Sequence, residues 1–268
     1  MQNLNKSSYK KVEKIFRKFS DNLAIKSIID NNTRGQIYVD NIQKPETALI
    51  WNEITELFIS GRISDEVVEK LSILINEKLI PAAKEGYIPG FNIYYPSNTW
   101  RNKINIIFDN YEIKDIDRQF YEFDKLKYKW KEEISNNLYL KKISCSTFEQ
   151  NYNNLKNMKG WINSFWKNCR DFEEKGIGYF LLKNNQIVSW SFSVYVKDRD
   201  YELAVATIKE HQKKGYAKLV VARTVLDCIE KNLNPQWHCD SKNIPSLKVA
   251  KDIGFKKVKD YKIAGIEF

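Results

Sequence analysis

One short run in this chain has residue types that could hold a phosphate: "EHQKKGYA", residues 210–217. Apolar residues before it predict a strand, and 3–4 spacing after it predicts a helix, so the run is a strand-to-helix turn. Backbone N–H groups at a helix start have no carbonyl partner and carry partial positive charge. Gly215 and Ala217 leave room for an anion to approach them, and Lys213 and Lys214 add screened attraction. The run admits two readings, a pyrophosphate cradle or a solvated basic turn.

Other candidate chemistry is sparse. Cys145, Cys169, Cys228 and Cys239 stand far apart, no CxxC occurs, and only His211 and His238 could join them in a metal site. Neither zinc nor a disulfide framework is expected, and no metal is assigned. Buried free thiols fit a reducing cytosol. Two histidines leave little room for a Ser/His/Asp triad. Cys239, in "WHCD", falls in an expected buried strand without an activating neighbour, which argues against a nucleophile. Ser189, Ser191 and Ser193 alternate along one strand, and read equally as an acceptor-pocket lining or a polar face under a helix.

The elements that position these residues follow from periodicity. "SSYKKVEKIFRKFS" has Val12, Ile15, Phe16 and Phe19 at helical spacing. "GQIYVD", "TALIWNEI", "GFNIYYPS" and "NKINIIFD" read as strands. "SDEVVEKLSILINEKLIPAAKEG" reads as a helix capped by Ser64, with a stripe through Val67, Val68, Leu71, Leu74, Ile75 and Leu79. Residues 124–137 are charged and poor in apolar side chains, so a domain boundary is placed there, dividing 1–134 from 135–268. The later part reads strand, two helices, a hairpin turning at Asn184-Asn185, a strand, the helix after Gly215, the strand "PQWHCD", a short helix ended by Gly254, and a last strand. In the hairpin's second strand Val188, Trp190, Phe192, Val194 and Val196 are expected on one face, and Ser189, Ser191, Ser193 and Tyr195 on the other. The fold class is α/β (α+β): a central, mostly antiparallel sheet flanked by helices, preceded by a smaller mixed α/β domain.

Composition limits the function classes. At 268 residues, with 43% apolar and 13% aromatic side chains, the chain can build sizeable cores. No apolar run approaches bilayer-spanning or signal-peptide length, so a soluble cytoplasmic protein without a membrane partner is expected. The net charge of +10 is spread along the chain as lysine rather than gathered in one patch. Scarce arginine argues against nucleic acid as the partner.

The run at 212–217 and the later "WHCDSKNIPSLKVAKDIGF" together resemble the GNAT superfamily of acyl-CoA N-acyltransferases. The acyl-CoA signature, Gln/Arg-x-x-Gly-x-Gly/Ala, is matched by Gln212, Gly215 and Ala217, with Lys213, Lys214 and Tyr216 between them. The later signature is matched by Asn243, Ser246 and Gly254-Phe255. The wider arrangement, including "GQIYVDN" and "GFNIYYPSNTW", is similar to the two-domain GNAT acetyltransferases, which include self-resistance enzymes of the zwittermicin-resistance type. The resemblance implies acetyl-CoA as co-substrate and direct acetyl transfer to a small-molecule amine, such as an antibiotic or amino-acid-like metabolite. It implies that Val205, Ala206 and Thr207 pair with the pantetheine arm, that the N–H groups from Gln212 through Ala217 hold the pyrophosphate, and that Asn243 and Ser246 touch the cofactor. It points to Glu202 as general base, and to residues 1–134 as the acceptor side. Many relatives place a tyrosine acid seven residues after the asparagine, where this chain has Ala250. The alternative function is a CoA-binding or degenerate module that recognises protein or RNA.

Overall fold

Side-chain caps start three of the helices in the first part of the chain. Asn22, Ser64 and Ser97 each accept a hydrogen bond from the backbone N–H three residues on, satisfying a donor that the helix itself cannot. The computed structural model describes residues 1–129 and 137–268. They form two units, one of residues 1–117 with 262–268 and one of residues 118–261. The split expected between residues 134 and 135 lies outside the described residues.

The first unit opens with β1 (Gln2–Asn3), two 3-10 turns and α1 (Leu23–Ile29). The turns, Lys6–Val12 and Arg17–Phe19, replace the expected α-helix. Tyr9 and Val12 are buried three residues apart, a spacing that stacks side chains in 3-10 geometry. β2 (Gln36–Val39), β3 (Thr47–Trp51) and β4 (Glu56–Gly61) follow as an antiparallel meander. α2 (Asp65–Leu74) passes through a wider π-turn into α3 (Ile80–Glu85). That turn precedes Pro81, whose ring and missing N–H disrupt regular α-helical bonding. β5 (Gly90–Tyr94) lies parallel to β4. The expected strand at 102–109 is instead largely helix, α4 (Asn98–Ile107). Ser97 caps it, and Trp100, Ile104 and Ile107 bury one face at 3–4 spacing. The core joins Leu57, Ile59, Leu71, Phe91, Ile93 and Ile104 with Ala264 and Ile266.

The second unit contains most of β6 (Lys114–Phe123), which sequence periodicity did not reveal. Next come β7 (Leu138–Lys142), α5 (Leu155–Phe165), α6 (Cys169–Lys175), β8 (Gly178–Lys183), β9 (Gln186–Lys197) and β10 (Asp200–Thr207). α7 (Tyr216–Glu230), β11 (Asn234–Asp240), α8 (Ile244–Ile253) and β12 (Phe255–Glu267) complete the chain. Strand order is β12-β6-β11-β10-β9-β8-β7. β10 and β11 are parallel, and the other pairs described from β6 to β7 are antiparallel. Asn184 and Asn185 turn the β8–β9 hairpin with φ of 48° and 59°, the left-handed pair that a two-residue turn requires.

Two bulges break the expected alternation of β9. Val188 is the extra residue against β8, and Val194 the extra one against β10. Phe192 and Tyr195 consequently share a face, and both meet the Phe165 ring of α5. Ser189, Ser191 and Ser193 lie on the opposite face with zero exposure. That face packs Leu181, Leu203 and Trp237 against Leu219, Val220 and Val225 of α7 and Leu247 of α8. Cys145 and Cys169 form a disulfide, correcting the expectation of four free thiols. It ties the 3-10 turn Cys145–Glu149 to the start of α6, a contact made by packing that sequence spacing does not encode. Cys228 and Cys239 are buried and free.

Candidate functional site

β10 holds the first group of candidate residues. Its ladder with β11 pairs Asp200 with Asn234, Tyr201 with Pro235 and Glu202 with Gln236, and among the described residues it ends there. β10 nonetheless continues to Thr207 and β11 to Asp240. On its other edge β10 stays paired to β9 through Thr207–Ser189, and the Ile208 N–H donates to the Val188 carbonyl at 3.0 Å. Backbone groups alternate edges along a strand, so those of Leu203, Val205 and Thr207 turn away from β9 toward the unpaired edge. An extended chain can add there as a further strand. Val205, Ala206 and Thr207 are half-buried along this edge.

The turn after β10 supplies the second group. Lys213 and Gly215 both have left-handed backbone, with φ of 60° and 81°. This folds Gln212 to Gly215 into a tight bend directly ahead of α7. Gly215 starts the helix without a side-chain cap, leaving the first-turn amides at Tyr216 and Ala217 to be satisfied from outside the helix. Gln212 Nε2 reaches back to the Thr207 carbonyl at 3.3 Å, and Lys214 Nζ donates to the Glu210 carbonyl at 2.9 Å. Tyr216 is buried beneath the bend, with its hydroxyl 3.3 Å from Lys183 Nζ. His211 lies beside the Tyr216 ring. Burial, then the charges of Lys214 and Lys183, hold its pKa below the usual imidazole value. Several amides, a helix start and nearby lysines give this bend features that anion sites use.

The third group sits at the start of α8. Asn243 accepts from the Ser246 N–H at 3.1 Å, capping the helix, and Ser246 Oγ accepts from Trp237 Nε1 at 3.1 Å. Both residues therefore hold the β11–α8 turn in shape. Ala250 is fully buried in the core between α7 and α8.

Glu202 lies opposite Tyr195 on β9 and Gln236 on β11. Its neighbour Leu203 enters the core under α7, so Glu202 faces the other way, on the side covered by α5. There Trp161 and Phe165 set their rings against Trp190, Phe192 and Tyr195. Glu202, Val205 to Thr207 and the 212–217 bend thus belong to one strand and the turn that follows it, while Asn243 and Ser246 follow β11. The buried serines, on the α7 side, do not line the face that carries Glu202. Ser193 Oγ accepts from the Ile177 N–H and Ser189 Oγ donates to the Ala206 carbonyl, each at 2.9 Å. Burial pushes the Cys228 thiol up to about 12 and raises that of Cys239, so neither is poised as a nucleophile. Sequence reasoning missed Gln236 and Tyr195, because only the ladder register places them beside Glu202.

Comparisons with known proteins bear on the family and the fold. A family model described as GNAT acetyltransferase matches residues 13–264. The uncharacterized N-acetyltransferase YdfB of Bacillus subtilis (strain 168) is 24% identical over 265 residues, 98% of this chain and 97% of its own. A GCN5-related N-acetyltransferase-like protein from Streptococcus suis 89/1591 superposes with a TM-score of 0.71 at 18% identity, covering 97% of this chain and 99% of that one. A tandem GNAT protein from the clavulanic acid biosynthesis pathway gives 0.56 at 8% identity, covering 99% and 97%. The two structures share the fold of this chain.

Proposed function

Because the chain belongs to the GNAT acetyltransferase family, we propose that it transfers an acetyl group from acetyl-CoA directly to the amine of a small molecule. The single observation that carries this reading is the end of the β10–β11 ladder at Glu202–Gln236, on the strand that leads into the 212–217 bend. The strand edge suits the amide-bearing pantetheine arm, and the bend suits the pyrophosphate. The Val205 N–H points to that edge and is assigned to polarise the thioester carbonyl.

Acetyl-CoA supplies the acyl carbon and a thiolate leaving group. An alkylamine with a pKa near 10.4 must shed a proton before attack, at a cost of about 4–5 kcal/mol at pH 7. Glu202 accepts that proton, directly or through one water, a role that contributes roughly a hundredfold to ten-thousandfold in rate. The amine nitrogen bonds to the carbonyl carbon and the C–S bond breaks. The first proton leaves Glu202 for solvent, Glu202 then takes a second from the nitrogen as the amide forms and passes it on to water, and the thiolate takes one proton from water. With Ala250 where many relatives carry a tyrosine, no phenol acid stands at that position of α8. Protonating a thiolate whose thiol has a pKa near 8.5 is worth only about 2 kcal/mol at pH 7, so water suffices.

The test is calorimetry with acetyl-CoA, followed by thiol release with a panel of amines. Tight binding with thiol release supports transfer. Binding without release for any amine overturns it, and favours the module that holds CoA while recognising protein or RNA.

A further inference from the structure

We propose that Gln236 is the second anchor of the acceptor amine: its Oε1 takes one N–H while Glu202 takes the other, aiming the nitrogen lone pair at the thioester. The proposal rests on the transfer reading above. Gln236 and Glu202 are direct neighbours at the last rung of the β10–β11 ladder. Trp237 and Cys239 enter the core under α7 and α8, as Leu203 does, so alternation turns Gln236 to the same face as Glu202. Gln236 is 8% exposed, and its Oε1 has no hydrogen-bond partner among the described residues. Buried acceptors are almost always paired, so this oxygen is available to a ligand or a water. A half-turn of the terminal amide exchanges Oε1 with Nε2, so the oxygen can meet a ligand from either position.

The spacing selects the ligand. Neighbouring strands lie about 4.8 Å apart, and hydrogen bonds of about 2.9 Å from one nitrogen reach an acceptor on each. A neutral primary amine has two N–H groups and one lone pair, enough to meet both side chains and still attack. A neutral secondary amine has a single N–H and leaves one acceptor unpaired. Phe165, Phe192 and Tyr195 on this face suit an apolar carbon next to the nitrogen. The acceptor class is therefore a primary amine on an apolar carbon, and Gln236 is a positioning residue that discriminates against N-alkylation.

The experiment compares full-length wild type with Gln236→Met, a similar shape without the acceptor. Benzylamine, 2-phenylethylamine and hexylamine are each paired with their N-methyl form, and thiol release gives kcat/KM. In wild type each primary amine should exceed its N-methyl form at least tenfold. In the variant that ratio should collapse toward one through loss of the primary-amine rate, with KM for acetyl-CoA unchanged. The variant should melt no lower than wild type, because an unpaired buried oxygen has been removed. An unchanged ratio overturns the proposal. So does a variant that melts well below wild type, since Gln236 would then be structural. Wild type that binds acetyl-CoA but releases no thiol with any amine marks failure of the transfer reading itself, and overturns this proposal with it.

Discussion

Gly215 stands at φ 81°, where a β-branched side chain is strained and would crowd the amides beside it. Gly215→Val should weaken acetyl-CoA binding at least tenfold in calorimetry while the far-UV circular dichroism stays native. Unchanged affinity in the folded variant would remove the bend from the site. Glu202→Gln keeps shape and loses the base. It should lower kcat by roughly a hundredfold to ten-thousandfold and leave acetyl-CoA affinity in place, a split that steady-state kinetics reads. His211 gives a pH signature of known sign. Its pKa in the free protein is depressed by burial, Lys214 and Lys183, so as pH falls below about 6.5 the unfolded chain takes a proton first and stability declines. An anion in the bend favours the protonated ring, so acetyl-CoA should bind more tightly as pH falls from 8 to 6. His211→Gln should flatten that dependence in calorimetric titrations. Ala250→Tyr should add no activity, since a ring forced into that filled core costs about 1–3 kcal/mol or more.

The disulfide closes a loop between the start of α6 and the 3-10 turn 24 residues earlier, which the chain-entropy account values at about 3–4 kcal/mol. Adding dithiothreitol should lower the melting temperature by about 5–10 °C, and Cys145→Ser should do the same without reductant. No change in either experiment would mean the bridge does not hold the fold. Much of the second unit was legible in the sequence. The Asn184-Asn185 turn, the Gly215 start of α7 and the Gly254 end of α8 are local signals, because each special backbone angle is met by a residue that tolerates it. Other features depend on partners. α4 alternates apolar and polar residues near its end, like a strand, and only its Ser97 cap and packing make it helical. β6 buries Phe120 and Tyr121 among charged neighbours and shows no clean period. The β9 bulges are set by register with two neighbouring strands, which is why Tyr195, expected on the serine face, lies on the Phe192 face. The bend at 212–217 could be read directly, whereas Gln236 could not, because its role comes from the strand beside it.

At the scale of the molecule, the net charge of +10 is carried mostly by lysine spread along the sequence. The long-range part of its attraction for an anionic ligand is screened by salt beyond about 10 Å at 0.1 M. The association rate of acetyl-CoA should fall several-fold between 10 and 300 mM salt in stopped-flow measurements, while the dissociation rate changes less. Structured RNA should show no retention in filter binding at 150 mM salt, and retention there would favour the alternative reading. β12 has a consequence of a different kind. Its opening residues belong to the second unit and residues 262–268 to the first, where Ala264 and Ile266 complete the core. During translation, the strand that finishes the first unit leaves the ribosome after the whole of residues 118–261. The nascent first unit must wait with an open sheet edge, and a chaperone that shields such edges would hold it through most of synthesis. Removing residues 262–268 would therefore damage the portion of the protein that was made first.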